Sequence, residues 1–313
     1  MPNLPAPFLR RLEEIYGEAD REKVLSGLSV ERMTSFRVNT LLADPKALVD
    51  SLARQGLTPQ PIDLLPDAYA IAIDQRRTLT ESQAMAEGQI YIQNPSSMLP
   101  PLILGPQPGE KILDLCAAPG SKTLQMAAMM HNEGWISAVE AVKNRFFRMK
   151  ANLKKNGATM VHTYHRDGIR VWRYVPEEFD RVLLDAPCSS EGQFTLADER
   201  TYRYWSERKI IEMARKQKKL LFSAFHCLKP GGTLVYSTCT LAPEENEAVV
   251  DWLVKKFPNQ VDILDIPLGR NLLQPALASF RGKPFDKEMR KAARILPDHM
   301  MEGFFVCLMR KRH

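Results

Sequence analysis

Cysteine is scarce in this 313-residue chain, long apolar runs are absent, and neither common glycine-rich nucleotide fingerprint occurs. The five cysteines are Cys116, Cys188, Cys227, Cys239 and Cys307. None forms a C-x-x-C pair, and only His226–Cys227 sets a histidine beside a cysteine. That spacing speaks against a zinc site or a disulfide framework, so no metal ligand is expected. No window approaches the roughly 18 apolar residues of a membrane helix. The opening MPNLPAPFLRRLEEIYGE turns charged too early for a signal peptide. The expectation is a cytoplasmic protein with no membrane partner. The missing G-x-G-x-x-G disfavours an ordinary NAD enzyme, and the missing G-x-x-x-x-G-K-[ST] excludes a phosphate loop. Repeats and low-complexity tracts are also lacking.

What is present is ordinary globular material, 44% hydrophobic and 26% charged, with a net charge of +6. The positive charge is grouped. Lys143, Arg145, Arg148, Lys150, Lys154 and Lys155 occur in one stretch without an acid, and from Arg200 to Lys219 eight basic residues face only Glu207 and Glu212. Such runs suit a polyanionic partner, and they equally suit a solvated helix face.

Periodicity divides the chain near residue 100. Phe8, Leu9, Leu12, Ile15 and Tyr16 predict an opening amphipathic helix. The segments 35–42, 45–56, TPQPIDLL, AYAIAI, 81–87 and 89–94 then read β-α-β-β-α-β. That order is the ferredoxin-like, RNA-recognition-like α+β unit, assigned to residues 1–100, although its strands lack paired aromatics for base stacking. From 101 to 313 strands alternate with helices: 110–116, 135–140, 160–165, 180–185 and 232–237 are apolar strands. This predicts an α/β, Rossmann-like domain with a parallel sheet.

In such sheets ligands sit beyond the carboxyl ends of the strands. The first strand runs into Cys116-Ala117-Ala118-Pro119-Gly120-Ser121-Lys122, small residues that let a ligand approach the backbone before a helix begins. The next strands end at Glu140, a carboxylate for two ribose hydroxyls, and near Asp167, an acceptor for an adenine amino group. The fourth ends at Asp185. Each acid alone is commonplace, whereas three at successive strand ends suit an adenosine-bearing ligand. Two thiols follow strands on the same edge, Cys188 in DAPCSSEG and Cys239 in YSTCT. Cys227 and Cys307, in AFHCLKP and FFVCLM, have the setting of buried apolar residues.

Those segments resemble the RNA cytosine-5 methyltransferases. The resemblance runs from SFRVNT (35–40) and IQNPSSMLP (92–100) through DLCAAPGSKT, AVEAVKNR, LLDAPCSSEG and KPGGTLVYSTCTLAPEENEAVV to RILPDHMMEGFFVCLMRK. It implies a class I S-adenosylmethionine-dependent methyltransferase core, with S-adenosylmethionine held by Cys116 to Lys122, Glu140, Arg145, Asp167 and Asp185. It further implies Cys239 as nucleophile, Cys188 in product release and Asp185 in activating the base. Arg37 and Asn39 resemble the family's N-terminal RNA-side motif, with a solvated strand edge the competing reading, and Lys143 and Arg148 are placed to hold phosphates. The nearest branch acts on small-subunit ribosomal RNA, which makes rRNA the first expectation. The alternatives are transfer RNA or a non-catalytic ribosome-assembly factor; DNA is not expected as a partner, and a monomer is. One departure stands out: Ser190 occupies a position where the family usually has glycine.

Overall fold

The computed structural model describes residues 4–269 and 273–313. Helix α1 (Ala6–Ser29) is broken at Gly17, whose φ of 69° only glycine adopts without strain. Its apolar residues Phe8, Leu12, Val24 and Leu28 pack on Phe194, Tyr202 and Leu241. Thus α1 belongs physically to the loops of the large domain.

The small unit follows as β1 (Thr34–Val38), α2 (Pro45–Arg54), β2 (Gln60–Pro61), β3 (Ala68–Ile71), α3 (Arg76–Glu81), α4 (Gln83–Ala86) and β4 (Ile90–Ile92). Asp44 caps α2 by accepting from Ala47 N, and Pro45 supplies the fixed φ of a first turn. The sheet is antiparallel in the order β2-β3-β1-β4, which gives the ferredoxin-like arrangement expected from the alternation. Strand β1 is central and all five of its residues are buried, so it is not a solvated edge.

Helix α5 (Pro95–Leu104) runs through the expected boundary at 100/101 and was not legible as a helix. Pro100 and Pro101 remove two backbone donors from its interior. Asn94 caps it, and Met98, Leu99, Ile103 and Leu104 bury in the core to offset that loss.

The large domain continues with β5 (Lys111–Asp114), α6 (Ser121–Met129), β6 (Trp135–Glu140), α7 (Lys143–Lys155), β7 (Val161–His165), β8 (Phe179–Asp185), α8 (Glu207–Cys227), β9 (Leu228–Thr238), α9 (Glu247–Lys256) and β10 (Val261–Leu264). Short strands β11 (Gln274–Pro275), β12 (Ser279–Phe280) and β13 (Lys283–Pro284) precede β14 (Ala293–Ile295) and β15 (Phe304–Lys311). The main sheet has the order β7-β6-β5-β8-β9-β15-β14-β11, with β10 also beside β15. Strands β5 to β9 are parallel. These are the five strands expected to form the parallel sheet; β15, beyond them, lies antiparallel to β9. Its FFVCLM run is buried throughout, as a strand covered on both faces must be. The chain winds outward from β5 to β7, then returns to β8 and β9 on the other side. The reversal between β5 and β8 is where an α/β sheet opens a crevice for ligand.

The two domains are clamped by Asn39. Its amide Nδ2 donates to Gly88 O at 2.9 Å and to Asn156 O at 2.8 Å, across the boundary onto the end of α7. No helix among the described residues is long and apolar enough to cross a membrane.

Candidate active site

One cavity of 580 Å³ opens at the carboxyl ends of β5, β6, β8 and β9. Cys116, Ala118, Pro119, Ser121, Lys122, Glu140, Arg145, Asp167, Asp185, Cys188 and Cys239 all line it. Residues far apart in sequence meet here because each follows a parallel strand on the same edge. Ala117 and Gly120 sit behind the lining and shape the turn. Ala117 N donates to Val139 O, and Gly120, at φ 104°, packs so close to Met149 and Leu153 that a Cβ would be 3.4–3.5 Å from them.

Glu140 is buried at the end of β6. One carboxylate oxygen accepts from Val142 N at 2.8 Å, and the other faces Arg145 Nη1 at 3.3 Å. Arg145 Nη2 also donates to Ala118 O at 2.7 Å, tying the small-residue turn to the acid. Asp167 is exposed and accepts from Ile169 N with one oxygen. Asp185 pairs with Lys122 Nζ at 2.6 Å and accepts from Ser237 Oγ at 2.8 Å. Lys122 Nζ also lies 2.6 Å from Ser97 Oγ, so α5 reaches the site as well. Asp114, beneath this cluster, accepts from Thr123 Oγ1 at 2.6 Å, and burial pushes its carboxyl up to about 7. The cavity volume, the buried carboxylate at Glu140 and the exposed one at Asp167 fit an adenosine sulfonium.

The thiols are free, and their sulfurs stand 3.3 Å apart. Hydrogen bonding to Cys239, together with burial and the nearby charge of Glu245, holds the Cys188 thiol well above the ordinary cysteine range. The two thiols share one short contact in which either sulfur can donate. Ser190 Oγ approaches Cys239 Sγ at 3.7 Å and Cys188 Sγ at 4.0 Å.

A model of the 16S rRNA methyltransferase RsmB/F family matches residues 101–310. The chain belongs to the RsmB/F family of RNA cytosine-5 methyltransferases. Its S-adenosylmethionine dependence comes with that membership. Among RsmB/F-type relatives, the tRNA (cytosine(49)-C(5))-methyltransferase of Pyrococcus abyssi is 39% identical over 307 residues, covering 96% of each chain. Ribosomal RNA small subunit methyltransferase F of Cronobacter sakazakii is 37% identical over 315 residues, 96% of this chain and 63% of that one. The crystal structure of a methyltransferase homolog protein from Pyrococcus horikoshii superposes with a TM-score of 0.85 at 32% identity, covering 99% of this chain and 96% of that one.

For two RsmB/F positions the structure corrects the sequence reading. Arg37 and Asn39 are buried, 4% and 0% exposed, so neither is a solvated strand-edge side chain. Asn39 is committed to the domain clamp. Arg37 is packed in the β1 layer, where burial lowers its guanidinium to about 10 against the opposing charge of Asp67. Lys143 and Arg148 lie exposed on α7 outside the cavity lining.

The sequence reading missed Glu245. This carboxylate is fully buried and accepts from Ser189 N at 3.0 Å, from the Ser189 hydroxyl, and from Gln217 Nε2 at 2.8 Å. It braces the residue next to Cys188, and burial pushes its carboxyl up to about 7. Nothing in PEENE separates it from Glu244, which pairs instead with Arg11 at 2.7 Å.

Proposed function

We propose that the chain methylates carbon 5 of a cytosine in transfer RNA, with Cys239 as nucleophile. The observation carrying the substrate is the alignment with the Pyrococcus abyssi tRNA enzyme, which runs through 96% of both chains. The ribosomal reading has its own support, from relatives at 36–41% identity whose length this chain spans for about three fifths. It is the second substrate to test.

The chemistry follows from the thiol pair. Carbon 5 of cytosine is too weak a nucleophile until a thiolate adds at carbon 6 and gives it enamine character. Cys239 makes that bond, while the ion-paired Asp185 is placed to engage ring nitrogen 3. S-adenosylmethionine supplies the methyl group when bound. Cys188 then assists release: the carbon 5 proton passes to solvent water, its electron pair re-forms the 5,6 double bond, and the carbon 6–sulfur bond breaks to return Cys239 as a thiolate. Glu140 and Asp167 hold the ribose and adenine ends of the methyl donor. The target base must be turned out of its stack to enter the cavity.

Bisulfite sequencing of tRNA transcripts and of 16S rRNA, incubated with purified protein and S-adenosylmethionine, tests the reading. One protected tRNA cytosine, with position 49 the first to examine, is expected from wild type and not from Cys239→Ala. Protection confined to 16S rRNA selects the ribosomal reading, and protection nowhere removes both.

A further inference from the structure

A second cavity, of 350 Å³, opens where α8, α9 and the 3-10 turn Gly168–Arg173 meet. Five cations line it: Arg170, Arg173, Lys218, Lys219 and Lys256. No carboxylate among the described residues does. The acid whose field reaches Lys218, Asp251, is already paired with Lys255 at 2.7 Å and accepts from Asp286 N. The walls between the cations are aromatic. Trp172, Phe222 and Trp252 line the same cavity, with the Trp172 and Phe222 rings edge to face at 5.5 Å. Lys256 Nζ stands 5.7 Å from both the Phe222 and Trp252 rings. A merely solvated helix face shows interspersed charges of both signs and keeps large aromatic rings out of its clefts.

We propose that this cavity is a second nucleotide site for the substrate RNA, holding a base against the aromatic walls and its flanking phosphates on the five cations. The inference rests on the RNA methyltransferase reading and extends it to a surface away from the thiols. Unpaired positive charge around aromatic faces is the chemistry that binds single-stranded nucleic acid without reading its sequence. The placement also fits. Helix α8 contributes Lys216 and Leu220 to the catalytic cavity, and Lys218, Lys219 and Phe222 to this one. The 3-10 turn likewise starts at Gly168, which lines the catalytic cavity, and ends at Arg173, which lines the second. The two cavities thus lie on neighbouring turns of α8 and share the 3-10 turn.

The probe is a fluorescein-labelled, unstructured 12-nucleotide RNA containing cytosine, titrated by anisotropy at several salt concentrations. The proteins are wild type, Lys218→Glu/Lys256→Glu and Trp172→Ala. The double reversal is expected to weaken binding at least tenfold and to flatten the salt dependence by about 1.4 in log–log slope, as for two lost contacts to a single strand. Trp172→Ala is expected to weaken binding about tenfold with the salt slope unchanged, as for a lost stacking partner. S-adenosylmethionine affinity, measured by calorimetry, stays constant in both if the fold is intact. The proposal is overturned if wild type does not bind the oligonucleotide, or if both variants bind as tightly as wild type. A wild type that binds RNA yet methylates none would remove the methyltransferase reading instead, so the two failures are separable.

Discussion

Cys188 Sγ and Cys239 Sγ lie 3.3 Å apart although 51 residues separate them in the chain. Adjacent strands bring them together. In the β8–β9 register Asp185 stands opposite Ser237, so the loop after each strand delivers one thiol to a common point. Contact with Cys239 and burial hold the Cys188 thiol above the ordinary cysteine range.

Two substitutions separate the roles of the two thiols. Cys239→Ala should reduce methylation to background and form no covalent complex. Cys188→Ala should still add to cytosine and take the methyl group, but release slowly, leaving a protein–RNA adduct stable on a denaturing gel. The double variant should leave none. Adduct formation by Cys239→Ala would reverse the assignment.

Much of this site was legible because its signals are local. The small-residue turn, the acids and the two thiols beside proline and threonine each lie within a few residues of the end of an apolar strand. What was hidden depends on long-range burial. Arg37 and Asn39 look like strand-edge polar residues in sequence, and only the sheet order shows that β1 is central. Glu245 is one acid among three in PEENE, and its bond to Ser189 crosses 56 residues. The alternation of strands and helices predicted the parallel part of the sheet; the antiparallel β15 carries no helix before it to announce the change.

Asn39 makes the domain clamp a testable quantity. Asn39→Ala leaves the buried carbonyls of Gly88 and Asn156 without their donor. A loss of about 2 kcal/mol in unfolding free energy is expected, within the usual range for an unsatisfied buried group. Urea denaturation followed by tryptophan fluorescence measures it. An unchanged midpoint would mean that the clamp contributes nothing.

Ser190 combines two features that glycine at this position would lack. Its φ of 61° is left-handed, costing a side-chain-bearing residue roughly 1 kcal/mol, and its hydroxyl lies 3.7 Å from Cys239 Sγ. Ser190→Gly should therefore raise stability by about that amount while lowering turnover severalfold. Ser190→Ala should lose the same turnover without the gain in stability. Thermal unfolding beside a single-turnover assay distinguishes strain from hydrogen bonding, and equal turnover in all three proteins would remove the hydroxyl from the mechanism.

Glu245 makes stability depend on pH. Its carboxyl stands near 7 in the folded chain against 4.5 as its ordinary value, chiefly through burial. Between those two values the folded chain holds a proton that the unfolded chain has released. Stability from this group is therefore complete below pH 4.5, falls as pH climbs toward 7, and levels off above. Glu245→Gln removes the titration and can keep the contacts: the amide oxygen accepts from Ser189 N and Gln217, while the amide nitrogen donates to the Ser189 and Thr240 hydroxyls that now face the other carboxylate oxygen. Above pH 7 the variant should exceed wild type by up to about 3 kcal/mol. Asp114, also near 7 and unaltered, leaves a residual slope in the same direction. Glu245→Ala makes the contrasting case, since it frees the Ser189 backbone and loosens the Cys188 loop. It should lose both stability and product release. Denaturant midpoints from pH 4 to 8 decide the matter: parallel curves for wild type and Glu245→Gln would show that Glu245 titrates alike in both states, and would make it a bracing residue only.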